Sequence, residues 1–508
     1  ILALLSSVII ACSFAAEPPV VDTPSGSLAG VRLSFENKTT EAFFGIPYAV
    51  PPVGDLRFRK PVPFPPWRTV RSASHYGSAC SQLDFRIHYG VILNNSFSSE
   101  DCLYLNVWKP SCAVAGKCAS KLPVVVYVYG GAFQWGDTSM FYNDGLVFSS
   151  VNEVVFVSFN YRAGVFGFLT TATPEAPGNL PFWDQLLALK WVQKHIAAFG
   201  GDPELVTLYG QSSGAMAVGV HALSPLSKGL FKRCIFESGT PLSLLTFPTD
   251  GQTSRLQYIA SATECVSPSQ NLSELLTCLR QVETEQIISA SKGSRLGSVM
   301  YYPLRGDEFL PQSLFSEDTI GHINGEEMLM GSTVDEGSLF ILHVLDINKA
   351  FSRLVSEYID TVVPVFLSRA LNVPSAVARK YVQSYFLRGE KGASQEDILN
   401  RLGHTYGDVV FVCATNLWGE FLAKRGHDVY RYVYGQRMSL SHWPKWTGIV
   451  HGDDLPYMLG SVALLKKNLK EERWRYIPAW FREMSIPPAE LAFSKHAVQA
   501  LGNFAKTG

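Results

Sequence analysis

The sequence predicts an α/β fold with a mainly parallel central sheet and helices on both faces. Apolar runs rich in β-branched residues alternate with segments of helical periodicity, and glycine-containing motifs follow two of the runs. Continuous apolar strands separated by helices are typical of sheets that are buried on both faces. Because chemistry gathers at the carboxyl ends of strands in such sheets, functional residues are expected directly after the runs.

The predicted elements follow one another along the first half of the chain. The candidate strands are 122–129 (LPVVVYVY), 154–159 (VVFVSF), 205–209 (LVTLY) and 234–236 (CIF). Residues 183–198 (WDQLLALKWVQKHIAA) repeat their apolar side chains at helical spacing. Residues 215–223 can continue as a helix after the third strand. Strands thus alternate with helices, as in α/β proteins.

The composition limits both the partners and the number of domains. The 508 residues include 43 basic and 44 acidic side chains, so the charge gives no reason to expect nucleic acid or an anionic membrane surface as a partner. A hydrophobic fraction of 47% supports a large core. No linker, low-complexity tract or repeat divides the chain. We expect a single domain over residues 17–508.

Residues 1–16 carry no charge, are mostly apolar and end in small residues. This pattern predicts a signal peptide whose start is missing, since neither an initial Met nor a basic segment precedes it. A buried strand and a bacterial lipoprotein signal rank lower as interpretations. The expected location is therefore extracellular.

Nine cysteines and three sequons fit an exported, disulfide-bonded glycoprotein. Three local pairs are plausible disulfides, although spacing alone does not establish connectivity: Cys80 with Cys102, Cys265 with Cys278, and Cys112 with Cys118. The sequons lie at Asn37, Asn94 and Asn271. Of the remaining cysteines, Cys12 belongs to the predicted signal peptide, Cys234 is expected as a buried strand thiol, and Cys413 has no evident partner.

Residues 210–214 (GQSSG) directly follow the LVTLY run and precede a helical segment. A sharp strand–turn–helix with glycines on both sides is the context of a nucleophilic serine. Ser212 holds the central position, and Ser213 is its less favoured neighbour. The simpler alternative is a Gly/Ser turn without catalytic function.

Residues 129–133 (YGGAF) end the LPVVVYVY run. Small residues let backbone N–H groups approach a substrate carbonyl and stabilise an oxyanion. Taken alone, this segment could equally be a Gly-Gly turn selected only for its backbone angles. The serine motif downstream favours the oxyanion interpretation.

A base and an orienting acid must come from later in the chain, in the order nucleophile, acid, histidine. His451 stands out in VHGDD, and Glu336 stands out in TVDEGS after an apolar stretch. Local chemistry leaves three rival acids open: Asp335, Asp453 and Asp454. No Cys/His group has zinc spacing and no dinucleotide fingerprint is present, so neither a metal nor an organic cofactor is expected.

From residue 43 onward the chain resembles the type-B carboxylesterase/cholinesterase family. The matching segments are FFGIPYAVPPVGDLRF (43–58), SEDCLYLNVW (99–108), VYGGAFQWG (128–136), NYRAGVFGFL (160–169), APGN (176–179), DQLLALKWVQKHIAAFGGDP (184–203), VTLYGQSSGA (206–215), FESGTP (236–241), DEGS (335–338), HGDDLPYMLG (451–460) and NFAKTG (503–508).

The resemblance implies an α/β-hydrolase fold in which helical insertions form an aromatic gorge. It assigns the nucleophile to Ser212, the acid to Glu336 and the base to His451. The oxyanion donors become the backbone N–H groups of Gly131, Ala132 and Ser213. It also implies the disulfides Cys80–Cys102 and Cys265–Cys278, and ion pairs of Arg57 with Glu100 and of Arg162 with Asp184.

Several departures from the family pattern bear on function. Residues 81–101 contain no Trp, and Ile92 lies near the position where cholinesterases place a cation-stacking Trp, so cholinesterase activity is not expected. Gln211 replaces the usual Glu, while Ser213 and Ala132 replace the usual Ala and Gly but retain their backbone N–H groups. Family members continue beyond NFAKTG, so an incomplete C-terminus is expected.

The expected function is therefore a secreted serine hydrolase that cleaves a small apolar or amphipathic ester through an acyl-enzyme. The rival interpretation is a catalytically silent adhesion protein of the neuroligin type, or a slow esterase that sequesters its ligand. A lipase is a further interpretation, but the sequence shows no clear lid or lipid-binding segment that would support it. Neither the oligomeric state nor the natural substrate can be read from the sequence.

Overall fold

A computed structural model gives the fold. It describes residues 17–83, 85–86, 92–93, 97–110, 112, 118, 121–247, 252–265, 271–292, 301–310, 312–314, 321, 323–347, 353, 355, 359–386, 394–439, 441–466 and 485–508. The predicted signal peptide with Cys12 and the Asn94 sequon lie outside the described residues, and so does the side chain of Ile92.

The described strands, in chain order, are β1 Val20–Thr23, β2 Gly26–Ala29, β3 Val31–Phe35, β4 Lys38–Pro47, β5 Arg71–Ser72, β6 Ala79–Cys80, β7 Phe85–Arg86, β8 Ile92–Leu93, β9 Ser98–Ser99, β10 Tyr104–Lys109, β11 Leu122–Val128, β12 Val155–Phe159, β13 Gly201–Gln211, β14 Arg233–Glu237, β15 Glu327–Thr333 and β16 Asp428–Tyr434. A nine-stranded sheet has the order β16-β15-β14-β13-β11-β12-β10-β4-β3.

The six neighbouring strands β11 to β16 are parallel, and β3, β4 and β10 add an antiparallel edge. Every residue of β12 and of β14 is buried. Since successive side chains of a strand point to opposite faces, the centre of the sheet is covered on both faces. The structure is thus the predicted α/β-hydrolase fold with a mainly parallel sheet. The antiparallel edge was not predicted from individual residues.

The described α-helices are α1 Leu146–Asn152, α2 Gly164–Phe168, α3 Leu180–His195, α4 Ser213–Leu223, α5 Gln252–Ala262, α6 Leu272–Gln281, α7 Thr284–Ser291, α8 Ser338–Ile347, α9 Ile359–Ala370, α10 Ser375–Tyr381, α11 Gln395–Gly407, α12 Cys413–Ala423, α13 Leu455–Met458 and α14 Pro488–Thr507. Short 3₁₀ helices lie at Gly54–Leu56, Phe141–Asn143, Ile196–Phe199, Pro225–Ser227, Pro241–Thr246, Lys445–Thr447 and Ser461–Lys466, and π-helical turns lie at Val382–Phe386 and Asp408–Val412. No described helix is both long and apolar enough to cross a membrane.

Helix α3 begins three residues earlier than its apolar pattern predicted. Asn179 has a left-handed φ of 50° directly before the helix, and Pro181 lies in its first turn. Proline is tolerated there because the first N–H groups of a helix have no partner within the helix. The LPFW sequence after Asn179 therefore opens this helix.

Three disulfides and the two predicted ion pairs lie within the described residues. Cys80 is bonded to Cys102, Cys112 to Cys118 and Cys265 to Cys278. Arg57 contacts Glu100 at 2.5 Å, and Arg162 contacts Asp184 at 2.6 Å, with all four side chains nearly buried. Cys234 is buried and Cys413 is exposed, and both are free thiols. The sequon residues Asn37 and Asn271 are exposed, and their glycosylation stays a prediction.

Candidate active site

Ser212 lies on a sharp turn between β13 and α4. Its backbone has φ 57° and ψ −127°, a strained conformation for a residue with a side chain. The flanking glycines are required by close packing. A Cβ at Gly210 would lie 2.3 Å from the Gly214 carbonyl oxygen, and a Cβ at Gly214 would lie 2.1 Å from that of Val128. The turn therefore holds the Ser212 side chain above the carboxyl end of the sheet, as the GQSSG motif predicted.

Two hydrogen bonds connect Ser212 to a histidine and a carboxylate. His451 Nε2 lies 2.8 Å from Ser212 Oγ, and His451 Nδ1 lies 2.5 Å from Glu336 Oε2. These residues come from the ends of β13 and β15 and from a loop before α13. Glu336 is 1% exposed, whereas Ser212 and His451 are each 8% exposed. The buried carboxylate thus orients an imidazole whose other nitrogen faces the serine.

Two of the three rival acids have hydrogen-bond partners other than His451. Asp335 accepts a hydrogen bond from the Ile449 N–H at 2.8 Å and lies 3.4 Å from His404. Asp453 accepts hydrogen bonds from the Trp443 indole and from a backbone N–H, and burial raises its pKa to about 6. Asp335 and Asp453 thus hold the backbone of the histidine loop, and within the described residues Glu336 is the acid among these four that is hydrogen-bonded to the His451 ring.

Ser238 is a site residue to which the sequence analysis gave no role. Its hydroxyl donates a hydrogen bond of 2.6 Å to Glu336 Oε1, and the Thr333 N–H donates to the same oxygen at 2.8 Å. Two donors therefore hold Glu336 Oε1 while His451 binds Oε2. The position of Ser238 directly after β14, at a carboxyl strand end, is the feature that could have identified it.

Aromatic rings enclose the imidazole of His451. The ring of Phe411 stacks on it at a centroid distance of 4.5 Å, and Phe340 lies 5.4 Å away. Phe340 also packs against Tyr406 at 4.9 Å. These rings limit the rotation of the histidine and exclude water from one of its faces, which strengthens the hydrogen bonds around it.

Two further carboxyl groups are buried near the triad acid Glu336. Glu237 and Asp454 are 0% exposed and lie close enough for the charge of each to raise the pKa of a neighbouring acid, and Tyr209 donates to Glu237 Oε2. Burial, followed by the charge of the other acid, raises the pKa of Glu237, and burial together with the charge of Glu336 raises the pKa of Asp454. Two buried carboxyls in contact cannot both ionise at low cost, so the pair retains a proton at a higher pH than free carboxyls do.

The 130–133 loop reaches the nucleophile, as its position after β11 predicted. A Cβ on Gly130 would lie 2.7 Å from Ser212 Cβ, so the loop backbone packs directly against the serine. In the described part of the chain, no protein group accepts a hydrogen bond from the backbone N–H of Gly131, Ala132 or Ser213. Free donors beside a serine hydroxyl are what a developing oxyanion requires.

The arrangement has the parts needed for acyl transfer: a serine hydroxyl, a base that can accept its proton, a carboxylate that fixes the base, and free N–H donors. No group of three or more His, Cys, Asp or Glu side chains within the described residues is placed to hold a metal ion.

Comparison with known proteins gives the same family as the resemblance. The model of the "Carboxylesterase family" matches residues 17–508. Acetylcholinesterase of Leptinotarsa decemlineata is 31% identical, with 97% of this chain and 80% of that protein covered. Acetylcholinesterase of Bungarus fasciatus is 32% identical, with 96% and 78% covered. Cholinesterase of Mus musculus is 31% identical, with 96% and 79% covered.

Proposed function

Because the chain belongs to the carboxylesterase family of serine hydrolases, we propose that it cleaves carboxylic esters through an acyl-enzyme on Ser212. The observation that carries this proposal is the hydrogen-bonded series Ser212–His451–Glu336, with distances of 2.8 Å and 2.5 Å. All three groups are intact, so the silent adhesion protein is the less favoured candidate.

The reaction follows from the roles of these groups. Ser212 Oγ attacks the ester carbonyl carbon while His451 Nε2 accepts its proton, and the carbonyl oxygen becomes an oxyanion. The N–H groups of Gly131, Ala132 and Ser213 stabilise that charge. The intermediate collapses, His451 returns the proton to the departing alcohol, and the acyl group stays on Ser212. A water molecule, deprotonated by His451, then releases the acid by the same sequence.

We propose a carboxylesterase-type substrate preference in place of a choline ester. Residues 81–101 contain no Trp, so the indole ring that would stack on a quaternary ammonium is absent from that segment of the sequence. The substrate is accordingly a small apolar or amphipathic ester. An identity of 31–32% to acetylcholinesterases supports a shared fold and does not establish a shared substrate.

The remaining features of the proposal concern location and organisation. The three disulfides fit an oxidising, extracellular compartment, in agreement with the signal peptide predicted at residues 1–16. We propose residues 17–508 as a single catalytic domain, since strands from residue 31 to residue 434 share one sheet.

The test compares hydrolysis of p-nitrophenyl acetate and acetylthiocholine by the secreted protein and by Ser212→Ala. Wild type should turn over the first ester much faster than the second, and Ser212→Ala should lose on the order of a thousandfold or more in kcat. Ser149→Ala serves as the matched control, since it removes a buried serine hydroxyl that bonds the Val154 carbonyl oxygen outside the site. Equal rates for wild type and Ser212→Ala would refute the assignment.

A further inference from the structure

The loop that carries two of the proposed oxyanion donors is strained. Gly131 has φ 133°, and the next two residues, Ala132 and Phe133, have left-handed φ values of 54° and 62°. Residues with a Cβ adopt this region rarely and at an energetic cost. Successive strained residues persist only where surrounding contacts determine their conformation. The contacts of Phe133 are therefore the ones that decide the geometry of the loop.

The Ser213 side chain supplies one of these contacts. The Phe133 N–H donates to Ser213 Oγ at 3.2 Å, and both residues are only 1% exposed. Phe133 is also enclosed by the rings of Phe168 and Phe182, at centroid distances of 5.6 Å and 5.9 Å. With Ala at position 213, this buried N–H would lose its acceptor at a place where water has little access.

A second hydrogen bond holds the other end of the loop. The Tyr161 hydroxyl donates to the Tyr129 carbonyl oxygen at 2.6 Å. Burial raises the pKa of Tyr161, and the neighbouring Ser213 side chain partly offsets that rise. Phe133, at one end of segment 129–133, is thus bonded directly to the first residue of α4, whose own N–H is the third proposed donor, and Tyr129, at the other end, is bonded to Tyr161.

We propose that the Ser213 hydroxyl is a positioning group, which sets the 129–133 loop at the distance from α4 that aligns the three N–H donors on one oxyanion. This inference rests on the proposed esterase function. It assigns Ser213 two tasks: its backbone N–H binds the oxyanion, and its side chain places Gly131 and Ala132. A displacement of well-aligned groups by a fraction of an ångström weakens stabilisation of the transition state more than binding of the substrate.

The experiment uses Ser213→Ala and Tyr161→Phe, alone and together, with Ser149→Ala as control. Ser149 is a buried serine whose hydroxyl bonds the Val154 carbonyl oxygen outside the site. We expect Ser213→Ala to lower kcat for p-nitrophenyl acetate by about tenfold to a hundredfold with KM within about twofold. Affinity for a trifluoromethyl ketone, whose serine adduct carries an oxyanion, should fall by a similar factor.

Tyr161→Phe should lower kcat by a smaller factor, because Ser213 then still accepts from Phe133. The double variant should be slower than Ser213→Ala by less than the factor seen for Tyr161→Phe alone, since both changes act on the position of the same loop. Wild-type kcat and ketone affinity in Ser213→Ala would overturn the inference while leaving the esterase proposal intact. An inactive wild type would refute the esterase proposal itself. If Ser213→Ala does not fold, a wild-type kcat and ketone affinity in Tyr161→Phe overturns the inference.

Discussion

Replacement of Glu336 by Gln tests how the histidine is held. Glu336 Oε1 accepts from the Thr333 N–H at 2.8 Å and from Ser238, and Oε2 binds His451 Nδ1 at 2.5 Å. A Gln side chain must place its NH₂ group at one of these two positions. The Thr333 backbone N–H cannot turn away, so the Gln oxygen is expected to stay there and the NH₂ group to face His451.

That placement gives the wrong histidine tautomer. Facing an NH₂ donor, His451 Nδ1 must act as an acceptor, and the ring proton moves to Nε2. A protonated Nε2 cannot accept the proton of Ser212, and no carboxylate is then hydrogen-bonded to the ring to stabilise an imidazolium. We expect kcat to fall on the order of a thousandfold to ten-thousandfold, which is the size of the effect when a triad carboxylate becomes an amide.

The assay is hydrolysis of p-nitrophenyl acetate at saturating substrate, with Asp335→Asn as the matched control. Asp335 is the adjacent acid, and Asn can still accept from the Ile449 N–H that Asp335 binds at 2.8 Å. We expect this control to lose less than about tenfold in kcat. A small loss in Glu336→Gln, or an equal loss in both variants, would refute the reasoning.

Three further predictions concern Ser238, the buried ion pair of Arg57, and Asp453. Ser238→Ala removes the 2.6 Å bond to the triad acid and should lower kcat roughly tenfold at constant KM in steady-state kinetics; an unchanged kcat would contradict it. Arg57→Met leaves Glu100 buried without its cation and should lower the free energy of unfolding by about 3–5 kcal/mol, whereas Lys60→Met, at an exposed pair, should cost about 1 kcal/mol or less. Equal urea midpoints for these two variants would contradict that prediction. Because burial raises the pKa of Asp453 to about 6, above its value of roughly 4 in the unfolded chain, its contribution to stability is lost as the pH rises from about 4 to about 6. Asp453→Asn should therefore gain thermal stability relative to wild type across that interval, and a constant difference in melting temperature would refute the shift.

The elements set by local chain properties were predictable. The LPVVVYVY and VVFVSF runs became β11 and β12, because continuous β-branched residues suit a strand covered on both faces. The GQSSG turn followed from glycine sterics, which the close contact between Gly210 and Gly214 makes explicit. Patterns of this kind depend on neighbours in sequence, and the sequence contains them in full.

Contacts between distant segments could not be read from local patterns. Asp335 and Glu336 are adjacent and chemically alike, and only the packing of the 451 loop decides which of them faces the histidine. Local reasoning left both open, and the family resemblance chose Glu336. Ser238 and the hydroxyl of Ser213 received no role, because their partners lie 98 and 80 residues away in sequence.

The central claim is that Ser212 is the nucleophile, and covalent labelling tests it most directly. The folded, secreted protein would be treated with a fluorophosphonate probe, and the modified peptide identified by mass spectrometry. We predict one adduct, on Ser212, that disappears in Ser212→Ala and persists in Ser213→Ala. A folded wild-type protein that takes up no probe, or that carries the adduct on another residue, would contradict the account.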